Sequence, residues 1–274
     1  MTLKVTNPFT GELVRTVSPM SASEVHQAIT GAEHAYFEWR KTSFDERVGH
    51  LRRIASTLRD RVGEMSRLMA LEMGKPIVQG EQEIEKCAWV CEHFADNAET
   101  YLETEIIETE ASKSFTTFSP LGIVLAIVPW SFPFWDFFRC AAPALMSGNA
   151  VLFQHASNVP GCSSALEEMC LAGGLPQGLV KTLLIGEEDG KRLVRDRRIE
   201  MVILTGRDAQ SREIASSAGG HSKKIIFERG SSDPYIVLAD ADVELAARTC
   251  VAARLVNSGQ SNIAAKRMLV VTSQ

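Results

Sequence analysis

No long hydrophobic run is present in the sequence. Its most apolar stretch, Leu121 to Trp130, falls far short of the roughly 18–20 residues that cross a bilayer. The opening residues, MTLKVTNPFTGELV, hold no apolar h-region and so do not form a secretory signal. Cysteine is sparse, six in 274 residues, which excludes a disulfide framework. Neither charge sign dominates: the net charge is −5 and the lysines and arginines are scattered, which excludes a nucleic-acid groove and a membrane-binding patch. There is no internal repeat and no low-complexity segment. Dinucleotide (G-x-G-x-x-G), Walker, H-E-x-x-H and G-x-S-x-G signatures are all missing. What is present is ordinary globular composition, 45% hydrophobic and 23% charged. At about 100–200 residues per domain, one large or two ordinary domains of a soluble, cytoplasmic α/β protein are expected.

Periodicity divides the chain in two. The first hundred residues predict helices. Ser21 with Glu24 forms a capping-box pattern ahead of apolar Val25, Ala28, Ile29, Ala32 and Tyr36. Ser43 with Glu46 opens a second helix that runs, with a break, to Met73, where Gly74 and Pro76 stop it. A third spans Val78 to Tyr101, and residues 103–118 alternate as an exposed acidic hairpin. From Gly122 the pattern changes to β-α units. Strands are expected at 122–128, 150–153, 180–184, 201–204 and 224–227, with helices between them. That pattern predicts a doubly wound parallel sheet with its ligand site at the C-terminal strand ends. A further unit, strand 235–238, helix 243–256 and strand 267–271, begins and does not close, so the sequence reads as cut short. Cys87 and Cys91, four apart on a helix with His93 nearby, form half of a metal-ligand pattern. With no second pair in the sequence, they are read as packing residues and no metal is expected.

Five segments carry chemistry: Val128-Pro-Trp-Ser-Phe-Pro-Phe-Trp135, Phe153-Gln-His-Ala-Ser-Asn-Val-Pro160, Leu204-Thr-Gly-Arg207, Phe227-Glu-Arg-Gly-Ser-Ser-Asp-Pro234 and Asn257-Ser-Gly-Gln-Ser-Asn262. In their order and spacing the chain resembles the aldehyde dehydrogenase superfamily, most closely its succinate-semialdehyde dehydrogenase branch. The resemblance is collinear from Asn7 to Arg267. It implies an α/β fold whose residues 1–230 form a dinucleotide-binding domain, with 103–120 as an oligomerisation-type hairpin. Residues 231–274 would be the truncated start of a catalytic domain. It also implies NAD or NADP as cofactor, and as partners a dinucleotide and a homo- or hetero-oligomeric neighbour. The family's reaction uses a cysteine thiolate to attack an aldehyde, passes hydride to the dinucleotide, and hydrolyses the thioester with water activated by a glutamate.

Matched residue by residue, the active centre departs from that pattern. Asn262 stands where the nucleophilic cysteine belongs, and an amide nitrogen is no nucleophile at neutral pH. Ser131 stands for the asparagine that holds the oxyanion, a donor whose loss typically costs about 10²–10³ in kcat. Glu228, 34 residues before Asn262, matches the retained base. In the cofactor region Trp130 and Ser131 follow the first strand, Gln154 replaces a ribose-binding lysine, and Ser157 replaces a glutamate found in many NAD-preferring members. Gly206 keeps the pyrophosphate turn, while Arg207 and Ser211 replace a serine and a glycine. Arg207 either pairs with phosphate or fills space, and the second is favoured. Arg229 replaces a buried leucine, and Ser231 a glycine. Arg139 either faces an acidic substrate or serves structure. Cys140, Cys162 and Cys250 are read as packing residues and Ser261 as pointing away, so no side chain replaces the thiol. The sequence thus implies an aldehyde-to-acid oxidoreductase by descent that is itself inactive. The alternatives are a non-catalytic dinucleotide-binding or subunit-interaction protein, or a gene remnant.

Overall fold

The computed structural model describes residues 2–206 and 209–271. The chain opens with a short antiparallel pair, β1 (Leu3–Thr6) and β2 (Leu13–Val17), which the expectation of an all-helical first hundred residues missed. Only Val5 of β1 is buried, so the pair has no apolar alternation that a sequence pattern could register.

Helices follow where capping chemistry places them. α1 (Ala22–Trp39) and α2 (Phe44–Asp60) each start at a complete capping box, Ser21 with Glu24 and Ser43 with Glu46. The break after Asp60 separates α2 from α3 (Val62–Met73), which ends at Gly74 in the left-handed region (φ 73°). α4 (Ile77–Tyr101) packs on both α2 and α3. Residues 103–118 form the expected exposed hairpin, reduced to two-residue strands β3 (Glu105–Ile106) and β4 (Phe115–Thr116).

The β-α units then build the body: β5 (Ile123–Val128), α5 (Trp135–Met146), β6 (Ala150–His155), α6 (Pro160–Ala172), β7 (Val180–Thr182), α7 (Glu187–Leu193), β8 (Ile199–Gly206), α8 (Ala209–Gly220) and β9 (Lys224–Arg229). All five strands are parallel in the order β7-β6-β5-β8-β9. The chain winds outward from β5 to β7, then returns to the other side of β5, as a doubly wound sheet does. β6 is buried at every position and β5 at all but Ile127, which explains their uninterrupted apolar runs. Gly148 holds the turn into β6 at φ 84°, where a Cβ would meet Pro120 Cγ at 2.8 Å. Next to it, Asn149 Oδ1 accepts the backbone N–H groups of Leu121 (2.7 Å) and Gly122 (3.0 Å), pinning the start of β5.

The helical region is fixed to this body by polar ties at the end of α5. Trp39 Nε1 donates to the Leu145 carbonyl at 2.9 Å and Arg47 Nη1 to that of Met146 at 3.0 Å. Beyond β9, β10 (Pro234–Val237), α9 (Val243–Arg254), a short 3₁₀ turn (Val256–Gly259) and β11 (Arg267–Val270) make a separate unit in which β10 and β11 pair in parallel. Among the described residues no helix is long and apolar enough to cross a membrane.

Candidate functional site

In a doubly wound sheet the crevice opens where successive connections leave in opposite directions, at the C-terminal ends of adjacent strands. Here that point lies between β5 and β8. A cavity of about 680 Å³ occupies it, walled by Pro129, Ser131 and Phe132 after β5, Thr205 and Gly206 at the end of β8, and Glu228 and Gly230 at the end of β9. Trp135, Asp136 and Arg139 of α5 and Glu83 and Lys86 of α4 line it further, and Asn262 and Ile263 reach it from the loop after α9. The predicted residues Ser131, Glu228 and Asn262, distant in sequence, therefore share one cavity.

Helix N-termini at this edge are natural anion sites. Two of them are already filled by the chain's own carboxylates. Glu83 Oε1 accepts from the backbone N–H of Phe134 (2.9 Å) and Trp135 (3.0 Å) at the start of α5, and its other oxygen pairs with the buried Lys75. Lys75 also sits over the Phe132 ring, 4.1 Å from its centroid. Glu72 accepts from Gly161 and Cys162 N–H, both at 2.9 Å, at the start of α6, with Arg15 3.5 Å away. Burial pushes the Glu72 carboxyl up from the usual range, while those two N–H groups pull it back. The start of α8, after Gly206, has no such carboxylate among the described residues; Arg207, for which the space-filling reading is favoured over phosphate pairing, lies outside them. A Cβ on Gly206 would come within 2.2 Å of Ser211 Oγ, so the buried Ser211 closes on that turn and requires glycine there.

Arg139 is the hub of the cavity. Its Nε donates to Asp136 Oδ1 at 3.0 Å, its Nη2 to Thr205 Oγ1 at 2.8 Å, and its Nη1 to Glu228 Oε2. Of the two expectations for Arg139, the structure shows an internal ion-pair role, and Glu228 is tied to it. Asp136 is almost wholly buried; burial raises its pKa to about 6, against the opposing pull of Arg139. Sequence reasoning did not single out Asp136. The available signal was its i,i+3 spacing from Arg139 on a predicted helix.

The end of β6 departs from the predicted ribose arrangement. Gln154 is buried, its Nε2 donates to the Gly186 carbonyl at 3.1 Å, and its Oε1 is buried with no partner among the described residues. The side chain packs on α7 so closely that a Cβ on Gly190 would lie 1.9 Å from Oε1. Lys191 of α7 bridges to Glu213 of α8 at 2.9 Å. Ser157 is exposed, and Trp130 is half-buried. His155 is buried beside Gln154. Its Nε2 meets the Pro133 carbonyl at 2.8 Å, and burial holds its pKa down at about 4.

The loop that carries Asn262 is held by Asn257. Asn257 and Ser258 both adopt left-handed backbone (φ 53° and 56°), a conformation costing roughly 1–2 kcal/mol for most residues and tolerated best by asparagine. The Asn257 side chain is buried. Its Nδ2 donates to the Ser131 carbonyl at 2.7 Å and to that of Gln260 at 3.1 Å, while Gln79 Oε1 accepts its backbone N–H at 2.5 Å. Asn257 thus joins the loop after α9 to the loop after β5, a role the sequence analysis left unassigned. Ser261 is buried and accepts from Ile263 N–H, whereas Asn262 is exposed at the cavity mouth. Arg229 is exposed rather than occupying a buried leucine site, because β9 is an edge strand with polar flanks. Ser231 is exposed and donates to Asp233 Oδ2 at 3.0 Å. Cys87 and Cys91 are fully buried on α4 and Cys250 is buried on α9, all as packing residues. Burial raises the pKa of the Cys140, Cys162, Cys87 and Cys170 thiols, that of Cys140 to about 12.

The sequence profile of the aldehyde dehydrogenase family matches residues 1–274. The chain belongs to the aldehyde dehydrogenase family. A probable NADP(+) succinate-semialdehyde dehydrogenase of Synechocystis is 46% identical over 273 residues, covering 100% of this chain and 60% of that protein. The NADP(+) succinate-semialdehyde dehydrogenase of Mycobacterium leprae is 40% identical, covering 98% of this chain and 60% of the relative. Among solved structures, succinic semialdehyde dehydrogenase of Streptococcus pyogenes in complex with NADP+ superposes with a TM-score of 0.94 at 30% identity, over 98% of this chain and 60% of that one. Lactaldehyde dehydrogenase of Escherichia coli gives 0.94 at 32% identity, over 100% of this chain and 58% of that one. The resemblance and the α/β fold expected from sequence are thus borne out. The chain spans about 60% of the length of the curated relatives it matches.

Proposed function

We propose that this chain is a non-catalytic aldehyde dehydrogenase-family protein. Its relatives' names point to descent from oxidoreductases that convert a semialdehyde to an acid with NADP+. Residues 1–230 would be the dinucleotide-binding part and 231–274 the beginning of a catalytic part. The observation that carries the reading is the chemistry at the cavity mouth. Asn262 and Glu228 both line the cavity, and none of the six cysteines does. Without a thiolate no thiohemiacetal forms, so Glu228 has no thioester to hydrolyse and Ser131 no oxyanion to hold.

A dinucleotide would be held by the Gly206 turn and α8 at its diphosphate and by the end of β6 at its ribose. There Gln154, buried against Gly186 and Gly190, would have to turn outward to meet a ribose hydroxyl. NAD or NADP would supply a hydride acceptor. Gln154 lacks the positive charge that would favour a 2′-phosphate, so neither nucleotide is strongly preferred. Titration calorimetry of NADP+ and NAD+ into the chain, with a thermal-shift control, tests retention of the module. Binding below about 1 mM supports it. NADPH or NADH production from a semialdehyde by the unmodified chain overturns the non-catalytic reading.

A second reading, subunit interaction, rests on the exposed apolar residues of the β3–β4 hairpin (Ile106 and Phe115) and of β10–β11 (Ile236, Leu269 and Val270). Co-purification with a full-length relative such as the Synechocystis protein would favour it; a monodisperse monomer in the mixture would count against it.

A further inference from the structure

α7 presents bare backbone to the end of β6 at two glycines one turn apart, Gly186 at its N-cap and Gly190 inside it. The Gln154 amide sits on that strip. From the place of a Cβ on Gly190, Oε1, Cδ and Nε2 would lie 1.9, 2.7 and 2.9 Å away, so the whole amide occupies the space of a side chain at 190. Glycine there is what admits it. The seat suits a carboxamide poorly. Its one bond among the described residues, from Nε2, goes to the Gly186 carbonyl, which already accepts the Gly190 N–H at 3.2 Å. Oε1 is shut away with no partner among the described residues, and a buried acceptor left unmet is unfavourable. Nor does the seated side chain serve the neighbouring cavity: Gly206 lines that cavity, whereas Gln154, Gly186 and Gly190 do not.

We propose that Gln154 is a two-position side chain that sets dinucleotide affinity: its amide is stowed on Gly186 and Gly190 in the free chain and leaves that seat to hydrogen-bond a bound ribose. This rests on reading the crevice at the strand ends as a dinucleotide site. Outward, Oε1 and Nε2 meet water or a ribose hydroxyl in exchange for the bond to Gly186, so the seat is held weakly. A ligand that needs the outward position binds with an apparent Kd equal to the intrinsic one divided by the fraction already outward. A methyl on Gly190 shifts that fraction. It cannot share its space with the amide, and the atoms it meets are the tip of a flexible side chain, so the side chain yields and the helix does not. Alanine in place of glycine also favours α7 as a helix.

Calorimetric titration of NAD+ into the full chain tests this, because the adenosine ribose of NAD+ keeps both hydroxyls. Gly190→Ala should bind NAD+ about three- to tenfold more tightly than wild type, the gain expected when about 10–30% of the free chain has the side chain outward. Gln154→Ala should bind about three- to tenfold more weakly, having lost the ribose contact. In the Gln154→Ala background, Gly190→Ala should change nothing. A second readout, by NMR, needs no variant. The Gln154 side-chain amide of the free wild type should show nuclear Overhauser contacts to the α-protons of Gly190, and these should vanish at NAD+ saturation; in Gly190→Ala the amide should show no contact to residue 190 even without ligand. Tightening by Gly190→Ala that is absent, or equal in the two backgrounds, overturns the proposal, as do Overhauser contacts that persist at saturation. Equal NAD+ affinities in wild type and variants overturn the proposal alone, whereas no binding to any of them overturns the dinucleotide reading with it.

Discussion

Two parallel strand pairs in this molecule have similar apolar sequences and opposite fates. In β6, Ala-Val-Leu-Phe-Gln-His, every residue is buried between neighbouring strands and helices. In β11, Arg-Met-Leu-Val, every residue is exposed, with Leu269 at 53%, and its strand neighbour among the described residues is β10. Apolar patterning determines that a segment extends, whereas burial depends on what covers it. The same contrast holds for polar groups. In the body, Glu83 and Glu72 are locked against helix N-termini, while at the cavity Glu228 is half-exposed and held by one arginine.

The largest effects should come from the body. Glu83→Ala would leave the buried Lys75 ammonium and two helix N–H groups without their acceptor, a loss of about 3–5 kcal/mol by denaturant unfolding. Leu152→Ala, at a fully buried β6 position, should cost about 2–5 kcal/mol. A midpoint unchanged by either substitution would break the comparison.

The next prediction concerns two buried titratable groups near the strand ends, with opposite signs. His155 is held at about 4 in the folded chain against 6.5 unfolded, so its contribution is present above 6.5 and lost as pH falls toward 4. Asp136 is raised to about 6 from 3.8, so folding gains as pH falls through 6. Each amounts to roughly 3 kcal/mol, and together they nearly cancel. Relative to wild type, His155→Phe should become more stable and Asp136→Asn less stable as pH is lowered from about 6.5 to 4. Parallel pH profiles for all three proteins would contradict the assignment. The smallest effect is expected at Leu269→Ala on exposed β11, within about 0.5 kcal/mol by the same unfolding measurement. A loss approaching that of Leu152→Ala would show that β11 is covered in solution.

Most of the fold was legible locally. Ser21 with Glu24 and Ser43 with Glu46 announce helix starts because the capping box is a contact between residues three apart. Gly74 announces a stop because it supplies positive φ. The β1–β2 pair was not legible: its burial is confined to Val5, so neither face shows a period. At the site, the motifs single out Ser131, Gly206, Glu228 and Asn262, all of which line one cavity in the structure. They did not reveal that Gln154 turns onto Gly186 and Gly190, or that Glu228 is paired with Arg139. Those facts depend on residues 32 and 89 positions apart.

By itself the sequence determined the strand and helix succession beyond β2, the family, and the absence of a thiol at position 262. These follow from short-range periodicity, capping and motif spacing. Only the tertiary structure decided which charges meet. The sheet order puts β5 beside β8 and β8 beside β9, so Arg139 meets Glu228 as well as Asp136, and Asn257 ties the Ser131 loop to the loop of Asn262. Charge balance inside a cavity is a property of distance and burial, and neither is written in the spacing of residues along the chain.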